Sequence, residues 1–321
     1  MSPLATNGLL LAMGVGVLYF GAEWLVRGAT RLAGALGVSP IVIGLTVVSM
    51  GTSAPELVVC LVAALRGNPD LAMGNVMGSN LANIGLILGL TAMVRPLEVA
   101  GRVVSREIPI MIAVTVLLFP LLMDGSLGRG DGFILLIVLG LYLLFINRAV
   151  GTEKAEVKGE FEVYAEEVGV SGKTVASSLA LILGGSIGLV MGGRAIVMSA
   201  EFVAQAFGVP DLIIGLTIVA IGTSLPELAT ALVAAMRKES DIAVGNIIGS
   251  NIFNIAAILG ITSAVTPIAI SSNIVRAELP AVLALSILAF PVTRMAHKVR
   301  RWEGAILLAS YFAAGIWLIR F

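Results

Sequence analysis

The chain has 321 residues, of which 58% are hydrophobic and only 12% are charged, and its formal net charge is zero. A soluble domain is about 25% charged, so this composition excludes an ordinary soluble fold and indicates an integral membrane protein. The single cysteine, Cys60, excludes an internal disulfide. The sequence lacks the alternation of apolar and polar residues that is typical of an outer-membrane barrel, so the predicted fold class is an all-α membrane protein.

Apolar stretches recur along the chain and are separated by prolines, glycines and clusters of charge, which end helices. Several of them approach the roughly 20 apolar residues that a helix needs to cross a hydrocarbon layer. The first stretch has no basic region and no clear cleavage site, so it is predicted to be a retained helix. We predict ten transmembrane helices, at residues 5–35, 40–65, 70–94, 107–123, 131–149, 174–206, 211–236, 241–264, 278–294 and 303–319.

Lysines and arginines set the predicted orientation, because cytoplasmic loops are enriched in them. With the N-terminus outside, 15 of the 20 basic residues fall at the inner ends of helices. Both termini are therefore predicted to lie outside a cell (inner) membrane that the chain crosses many times. The hydrophilic segment 150–173 mixes glutamates with bases, which is typical of a solvated linker, and it is predicted to be cytoplasmic.

The two halves of the chain are copies of one another. A shift of 171 residues aligns 37–96 with 208–267 without a gap, and 33 of the 60 pairs are identical. We therefore predict a first repeat at 1–149 and a second at 174–321, with five helices in each. Because five is odd, the second copy enters the membrane from the opposite side, and inverted repeats with interrupted helices are typical of secondary transporters.

Each copy carries one glutamate inside a hydrophobic run, in the motifs GTSAPE and GTSLPE. A carboxylate at the bilayer centre is costly unless it faces a cavity or a partner, so Glu56 and Glu227 are predicted to be functional. Pro55 and Pro226 precede them, and because proline lacks an N–H, each leaves backbone carbonyls unpaired. Each motif therefore predicts a broken helix that presents carbonyl, hydroxyl and carboxylate oxygens together.

Further polar residues share helix faces with these motifs, since positions three, four and seven apart lie on one side of a helix. One stripe accompanies each glutamate, and another runs along the following helix. Ser49 is replaced by Ala220 in the second copy, which offers a main-chain oxygen. Asn75 and Asn246, near the helix starts, are predicted to be structural, as are Asn80 and Asn251, which point off the stripes. The stripe residues are Ser49, Ser53, Asn75, Ser79 and Asn83 in the first copy, and Ser224, Asn246, Ser250 and Asn254 in the second.

Nearly all of these potential ligands are oxygen atoms, which hard cations such as Ca²⁺ and Na⁺ prefer. The only histidine and the only cysteine fall outside the motifs, so no transition-metal site and no cofactor are expected. An intramembrane hydrolase is disfavoured, because Ser53 and Ser224 have no identifiable His or Lys partner and no His-Glu-x-x-His motif occurs. We expect a non-enzymatic protein whose partners are Ca²⁺, Na⁺ and the lipid bilayer, without a nucleic acid or an obligate protein partner.

The sequence resembles the cation/calcium exchanger superfamily, and specifically the prokaryotic sodium/calcium exchangers. The resemblance covers nearly the whole chain and is carried by GTSAPE with GNVMGSNLANI and by GTSLPE with GNIIGSNIFNI. It implies ten transmembrane helices and a cluster of cation sites between the second, third, seventh and eighth. By matching position it implies central carboxylate ligands at Glu56 and Glu227, side-chain ligands at Ser53, Ser79, Ser224 and Ser250, main-chain ligands chiefly at Thr52, Thr223, Ser49 and Ala220, and further polar ligands at Asn83 and Asn254.

Three points stay open at this stage. A proton/calcium antiporter would use the same glutamates, and a ring of carboxylates can also select cations in a channel. Some members of the superfamily carry aspartate at the position of Asn254, so this chain has one acidic group fewer than they do. Two carboxylates balance one Ca²⁺ or two Na⁺, whereas the resemblance implies three Na⁺ per Ca²⁺. The predicted function is exchange of three Na⁺ for one Ca²⁺ by alternating access.

Overall fold

The computed structural model describes residues 3–156, 172–208 and 220–320, and these residues form long apolar helices joined by short connections. Seven of the described helices are long and apolar enough to cross a bilayer. An eighth span results if Pro40–Thr52 and Ala54–Leu65, which are bent by 44° at their junction, are counted together. Leu225–Met236 is a shorter apolar helix, and part of the predicted helix 211–236 lies outside the described residues. The number of membrane-spanning helices counted by length and composition among the described residues is therefore lower than the predicted ten.

The helices of the first half match the predicted positions, with shifts at their ends. The predicted end of the fifth helix at 149 is wrong, because the helix continues to Glu156, into the segment predicted to be a linker. The remainder of that segment, 157–171, lies outside the described residues. The helices are α1 (Pro3–Leu36), α2a (Pro40–Thr52), α2b (Ala54–Leu65), α3 (Pro69–Val94), α4 (Val103–Leu121) and α5 (Arg129–Glu156).

The second half follows the same order. The helices are α6 (Gly172–Ala206), α7a (Ala220–Thr223), α7b (Leu225–Met236), α8 (Ser240–Val265), α9 (Ile274–His297) and α10 (Arg301–Leu318).

The predicted starts of the fourth and ninth helices, at 107 and 278, are each four residues too late. Both helices begin with one π-helical turn, Val103–Glu107 and Ile274–Glu278, which ends two residues before Pro109 or Pro280. Charged residues and a proline are typical of a helix start, so the sequence pattern placed the boundary there. In the structure the helix already starts with the π turn and continues through the charged residue and the proline. These residues therefore lie inside the helix and do not mark its start.

Helices α1 and α6 pack against one another through glycines spaced seven residues apart. A Cβ added to Gly21 would lie 2.7 Å from the backbone nitrogen of Leu189, and one added to Gly185 would lie 2.6 Å from the backbone nitrogen of Leu25. Towards one end Gly14 meets Ala195, and towards the other Gly28 meets Ser178. The two helices are therefore antiparallel, and their backbones approach as closely as small residues allow.

We expect Gly21→Ala to destabilise the protein by about 1–3 kcal/mol, because the new methyl group is forced against the backbone of α6. The matched control is Gly16→Ala on the same helix, where none of the described residues lies within 4 Å of an added Cβ. There the better helix propensity of alanine should stabilise the helix by up to about 1 kcal/mol. Thermal unfolding of the two variants in detergent measures the difference, and equal effects would contradict the close packing.

Four two-residue strands connect the two halves. Strand β1 (Leu97–Glu98) pairs antiparallel with β4 (Lys298–Val299), and β2 (Ser126–Leu127) pairs antiparallel with β3 (Ile268–Ala269). In both pairs a strand that follows the third helix of one half binds the strand that precedes the last helix of the other. The same type of strand pair between the two halves therefore occurs twice, with the same register.

The similarity of the two halves extends to the last helix of each, beyond the segment that aligns without a gap. Asp131 accepts a hydrogen bond from the backbone N–H of Gly128 at 2.8 Å, which caps the start of α5. Glu303 accepts one from the N–H of Arg300 at 2.6 Å and caps α10 in the same way. A carboxylate three residues into a helix that binds the N-cap N–H satisfies one of the donors left free at a helix start.

Candidate functional site

The two predicted breaks lie side by side at the centre of the molecule. Ser53 separates α2a from α2b, and Ser224 separates α7a from α7b; neither serine has helical backbone angles, with ψ of 6° and 5°. A proline in the first turn of the following helix, Pro55 or Pro226, removes a backbone donor there. Each break places a glutamate in the first turn of a helix, where the helix dipole favours negative charge.

The two glutamates are almost fully buried, with 1% of each residue exposed. Glu227 accepts a hydrogen bond from the Ser53 hydroxyl at 3.0 Å through Oε1, which joins the two breaks. Its Oε2, and both carboxylate oxygens of Glu56, have no hydrogen-bond partner among the described residues. Because Ser53 lies three residues before Glu56 in the chain, its hydrogen bond to Glu227 places the two glutamates in one region. Buried unpartnered oxygens of this kind are costly unless a cation or protons neutralise them.

The polar stripes of α3 and α8 face the same region. The Ser224 hydroxyl donates to Ser79 Oγ at 3.4 Å, so the second break contacts the stripe of α3. The Ser250 hydroxyl, Asn254 Oδ1 and both polar atoms of the Asn83 amide are buried without a partner among the described residues. The result is a set of neutral oxygens and amides around the two carboxylates.

No cluster of three or more His, Cys, Asp or Glu side chains occurs in the described part of the chain. A cation at the centre would therefore be held by two carboxylates and completed by hydroxyl, amide and carbonyl oxygens. Such a ligand set suits Ca²⁺, which takes six to eight oxygen ligands, and Na⁺, and it does not suit zinc or copper.

On one side of this centre two helices pack closely through glycines. Helix α8 lies against α2a so closely that a Cβ added to Gly245 would be 2.9 Å from the Ile41 carbonyl oxygen, and one added to Gly249 would be 2.6 Å from that of Leu45. The segment of the second copy that is equivalent to the start of α2a falls within 209–219, outside the described residues.

The sequence of this chain matches the family described as sodium/calcium exchanger protein over residues 6–147 and 177–320. The chain belongs to the sodium/calcium exchanger family. The superfamily membership predicted from the paired motifs is thereby confirmed, and a protein of this transporter family is not expected to be an enzyme.

Individual relatives cover almost the whole exchanger. It is 39% identical to the inner membrane protein YrbG of Escherichia coli over 312 residues, which are 96% of this chain and 94% of that protein. It is 31% identical to the sodium/calcium exchanger MaX1 of Methanosarcina acetivorans over 342 residues, 97% of each chain. Its structure matches the sodium-calcium exchanger NCX_Mj, soaked without Na⁺ and Ca²⁺, with a TM-score of 0.82 and 31% identity over 99% of this chain and 100% of that one.

The exchanger brings most of the predicted site residues together, but it gives Ser49 a packing role. The Ser49 hydroxyl donates to the Gly44 carbonyl at 2.7 Å and lies 3.1 Å from the Asn246 carbonyl, so it joins α2a to α8. The Thr52 hydroxyl is 3.0 Å from Asn246 Oδ1. Thr223 occupies the equivalent place directly before the second break, and the side chain of Ala220 lies outside the described residues.

Asn80 and Asn251, predicted to be structural, join the two copies beside the exchanger's site. Asn254 donates to Asn80 Oδ1 at 3.0 Å, and Asn80 donates to the Asn251 carbonyl at 3.3 Å. Their positions off the stripes had indicated a packing role, and these bonds agree with it. The bonds also fix the amide of Asn254 so that its free oxygen stays available.

Sequence reasoning missed the π-helical turns that carry two of the site asparagines. Asn83 lies in the turn Ala82–Ile87 and Asn254 starts the turn Asn254–Leu259. A π turn inserts one extra residue per turn and is frequent at functional sites. A run of polar residues at spacing four predicts a regular helix, so no signal in the sequence marked the change.

Proposed function

We propose that the exchanger moves Na⁺ and Ca²⁺ in opposite directions through one central site by alternating access. The observation that carries this proposal is the pair of buried glutamates, of which three of the four carboxylate oxygens have no partner among the described residues and which are surrounded by neutral oxygen ligands. Na⁺ and Ca²⁺ are substrates here and not resident cofactors. The proposed ligands are Glu56, Glu227, Ser53, Ser224, Ser79, Ser250, Asn83 and Asn254 through side chains, and Thr52, Thr223, Ser49 and Ala220 chiefly through main-chain oxygens.

The proposed architecture is two inverted repeats of five transmembrane helices, at 1–149 and 174–321, joined by a cytoplasmic linker at 150–173. Two observations support it. Helices α1 and α6, which are equivalent in the repeat, are antiparallel. The strand pairs between the halves occur twice with one register, as a two-fold relation requires. Lysine and arginine placement supports both termini outside a cell (inner) membrane.

The close contact of α8 with α2a is consistent with alternating access. With the proposed orientation, the start of α8 and this contact lie on the cytoplasmic side of the site, where Gly245 and Gly249 allow close packing. This packing supports a site that is closed towards the cytoplasm. Alternating access requires the same contact to open when the site is exposed to the cytoplasm.

A proton/calcium antiporter is the second candidate, because protons could neutralise Glu56 and Glu227 as effectively as Na⁺. The deciding experiment is uptake of radiolabelled Ca²⁺ into proteoliposomes loaded with Na⁺ or with choline. We expect uptake only with internal Na⁺. Uptake driven by a pH gradient with choline inside would establish proton coupling, and flux without any counter-ion would indicate a channel.

Raising Na⁺ on the same side as Ca²⁺ should weaken the apparent affinity for Ca²⁺ without lowering the maximal rate. The reason is that one set of oxygens around Glu56 and Glu227 serves both ions, so they compete for it. The measurement is the initial rate of Ca²⁺ uptake as a function of Ca²⁺ at several external Na⁺ concentrations. A fall in maximal rate at unchanged apparent affinity would argue for separate pathways.

Exchange of three Na⁺ for one Ca²⁺ should depend on membrane voltage. The two carboxylates balance one Ca²⁺, so a third Na⁺ leaves the sodium-loaded site with one positive charge, held by the neutral oxygens. One net charge per cycle couples transport to the potential by about 2.3 kcal/mol per 100 mV. In proteoliposomes clamped with K⁺ and valinomycin, the flux should change in the direction in which positive charge follows Na⁺. A voltage-independent flux would establish two Na⁺ per Ca²⁺ instead.

A further inference from the structure

A cleft of about 760 Å³ lies away from the central site, where the ends of α3 and α7b meet the starts of α8 and α10. Its wall carries one acidic and four basic side chains, which gives a local excess of positive charge. The lining residues are Val94, Arg95, Pro96, Glu98, Met236, Lys238, Ser240, Lys298 and Arg301.

Three of the four basic groups have no salt bridge within the described part of the chain that would explain their position. Arg95 donates to the Met236 carbonyl at 3.3 Å and so caps α7b. Lys238, Lys298 and Arg301 form no salt bridge with the described residues. Like charges in one concave wall repel one another and destabilise the folded state, so the stability of the fold does not explain why they lie together there.

The repeat supplies an internal comparison at the opposite end of the molecule. The positions of Arg95, Lys238 and Lys298 correspond there to Thr266, Gly67 and Ser126, as the repeat and the strand pairs align them, and only Arg301 has a basic counterpart, Arg129. The same fold therefore forms at that end without the positive cluster. The cluster is a property of one end and not a requirement of the architecture.

The rim of the cleft is apolar and exposed. Val94 is 48% exposed, Met236 is 60% exposed and Trp302, next to Arg301, is 50% exposed. Tryptophan is enriched at the level of lipid headgroups, and basic pockets between helices on the cytoplasmic side bind anionic headgroups. A basic cleft below an apolar rim fits a ligand with a charged phosphate and a hydrocarbon tail.

We propose that this cleft binds the phosphate of an anionic lipid headgroup, with Lys238, Lys298 and Arg301 as its charged ligands and the acyl chains over the apolar rim. A soluble phosphate shares the charged chemistry but not the tail. The binding is independent of the ion exchange proposed above, because none of these side chains belongs to the central site.

The test uses the full-length protein in detergent and measures binding of cardiolipin by native mass spectrometry, with phosphatidylcholine as the neutral lipid. The variant is Lys238→Gln/Lys298→Gln/Arg301→Gln. Each basic residue near a membrane surface contributes about fivefold to the affinity for anionic lipid, so we expect the loss of three to weaken binding roughly 100-fold. The matched control, Arg66→Gln/Arg129→Gln/Arg276→Gln, removes the same charge from exposed positions predicted on the opposite side and should bind cardiolipin as the wild type does.

An equal loss in both triple variants, or a loss in neither, would overturn the proposal. If the triple variant is poorly folded by size-exclusion chromatography, the single change Lys238→Gln replaces it, with an expected loss of several fold. A parallel titration with inorganic phosphate distinguishes a lipid headgroup from free phosphate as the ligand. If phosphate displaces cardiolipin only at far higher concentrations, the ligand is the lipid. If phosphate alone binds with equal affinity, the assignment to a lipid is overturned. Na⁺-driven Ca²⁺ uptake by the triple variant shows separately whether the central site works.

Discussion

Glu56→Gln and Glu227→Gln should each abolish Na⁺-driven Ca²⁺ uptake while leaving a folded protein in the membrane. Each change removes one negative charge from a site that must neutralise a divalent cation, and it hardly changes the side-chain volume. A buried cation left with one carboxylate loses several kcal/mol of stabilisation, which corresponds to a loss of affinity of orders of magnitude. The measurement is uptake of radiolabelled Ca²⁺ into proteoliposomes, with protein orientation and amount controlled.

The matched control for these variants is Glu107→Gln. Glu107 is also buried, with 4% exposed, and accepts a hydrogen bond from the Tyr142 hydroxyl at 3.2 Å. Glutamine retains an oxygen for that bond, so exchange should persist. Near wild-type exchange by Glu56→Gln or Glu227→Gln would show that the altered glutamate is not a central ligand.

Cross-linking α1 to α7b should stop transport, because we propose that α1 and α6 slide across the central site as one unit. Glu23 of α1 and Arg237 at the end of α7b form an ion pair, so cysteines at these positions can be bridged by a short bifunctional thiol reagent. The experiment uses Glu23→Cys/Arg237→Cys in a Cys60→Ala background and a reagent that reduction cleaves. Exchange should be lost on bridging and restored by reductant.

The control ties α1 to α6 instead. A Cβ added to Gly14 would lie 3.1 Å from that of Ala195, slightly closer than the roughly 3.5–4.5 Å of a disulfide. Gly14→Cys/Ala195→Cys should therefore form a disulfide on mild oxidation and still transport. Persistent exchange after bridging α1 to α7b would exclude sliding, and loss of exchange in the control would show that α1 and α6 move relative to one another.

The central features could be predicted from the sequence because they follow from local chemistry. A proline and a glutamate inside an apolar run predict a broken helix, and the structure breaks at Ser53 and Ser224. The duplication predicts that both breaks occur together, and the hydrogen bond from Ser53 to Glu227 joins them. These inferences needed only residue type, spacing and the cost of burying charge.

Other features depend on contacts between distant residues, which spacing along one helix does not determine. The inter-half strand pairs and the hydrogen bond from the Asn254 side chain to the Asn80 side chain both join the two halves. The close packing of α8 against α2a is another such feature. Gly245 and Gly249 are recognisable as small residues, but their spacing does not determine which helix they contact.

The strand pairs that cross between the halves have a consequence for biosynthesis. Leu97 pairs with Val299, about 200 residues later in the chain, so β1 has no strand partner until nearly the whole protein has been made. At roughly 5–20 residues per second, this interval is on the order of 10–40 s. During it the first half must stay in the membrane with Glu56 and its polar stripe unmatched. Premature termination after the first five helices should therefore yield a fragment that quality-control proteases recognise, and supplying the second half as a separate chain should rescue it.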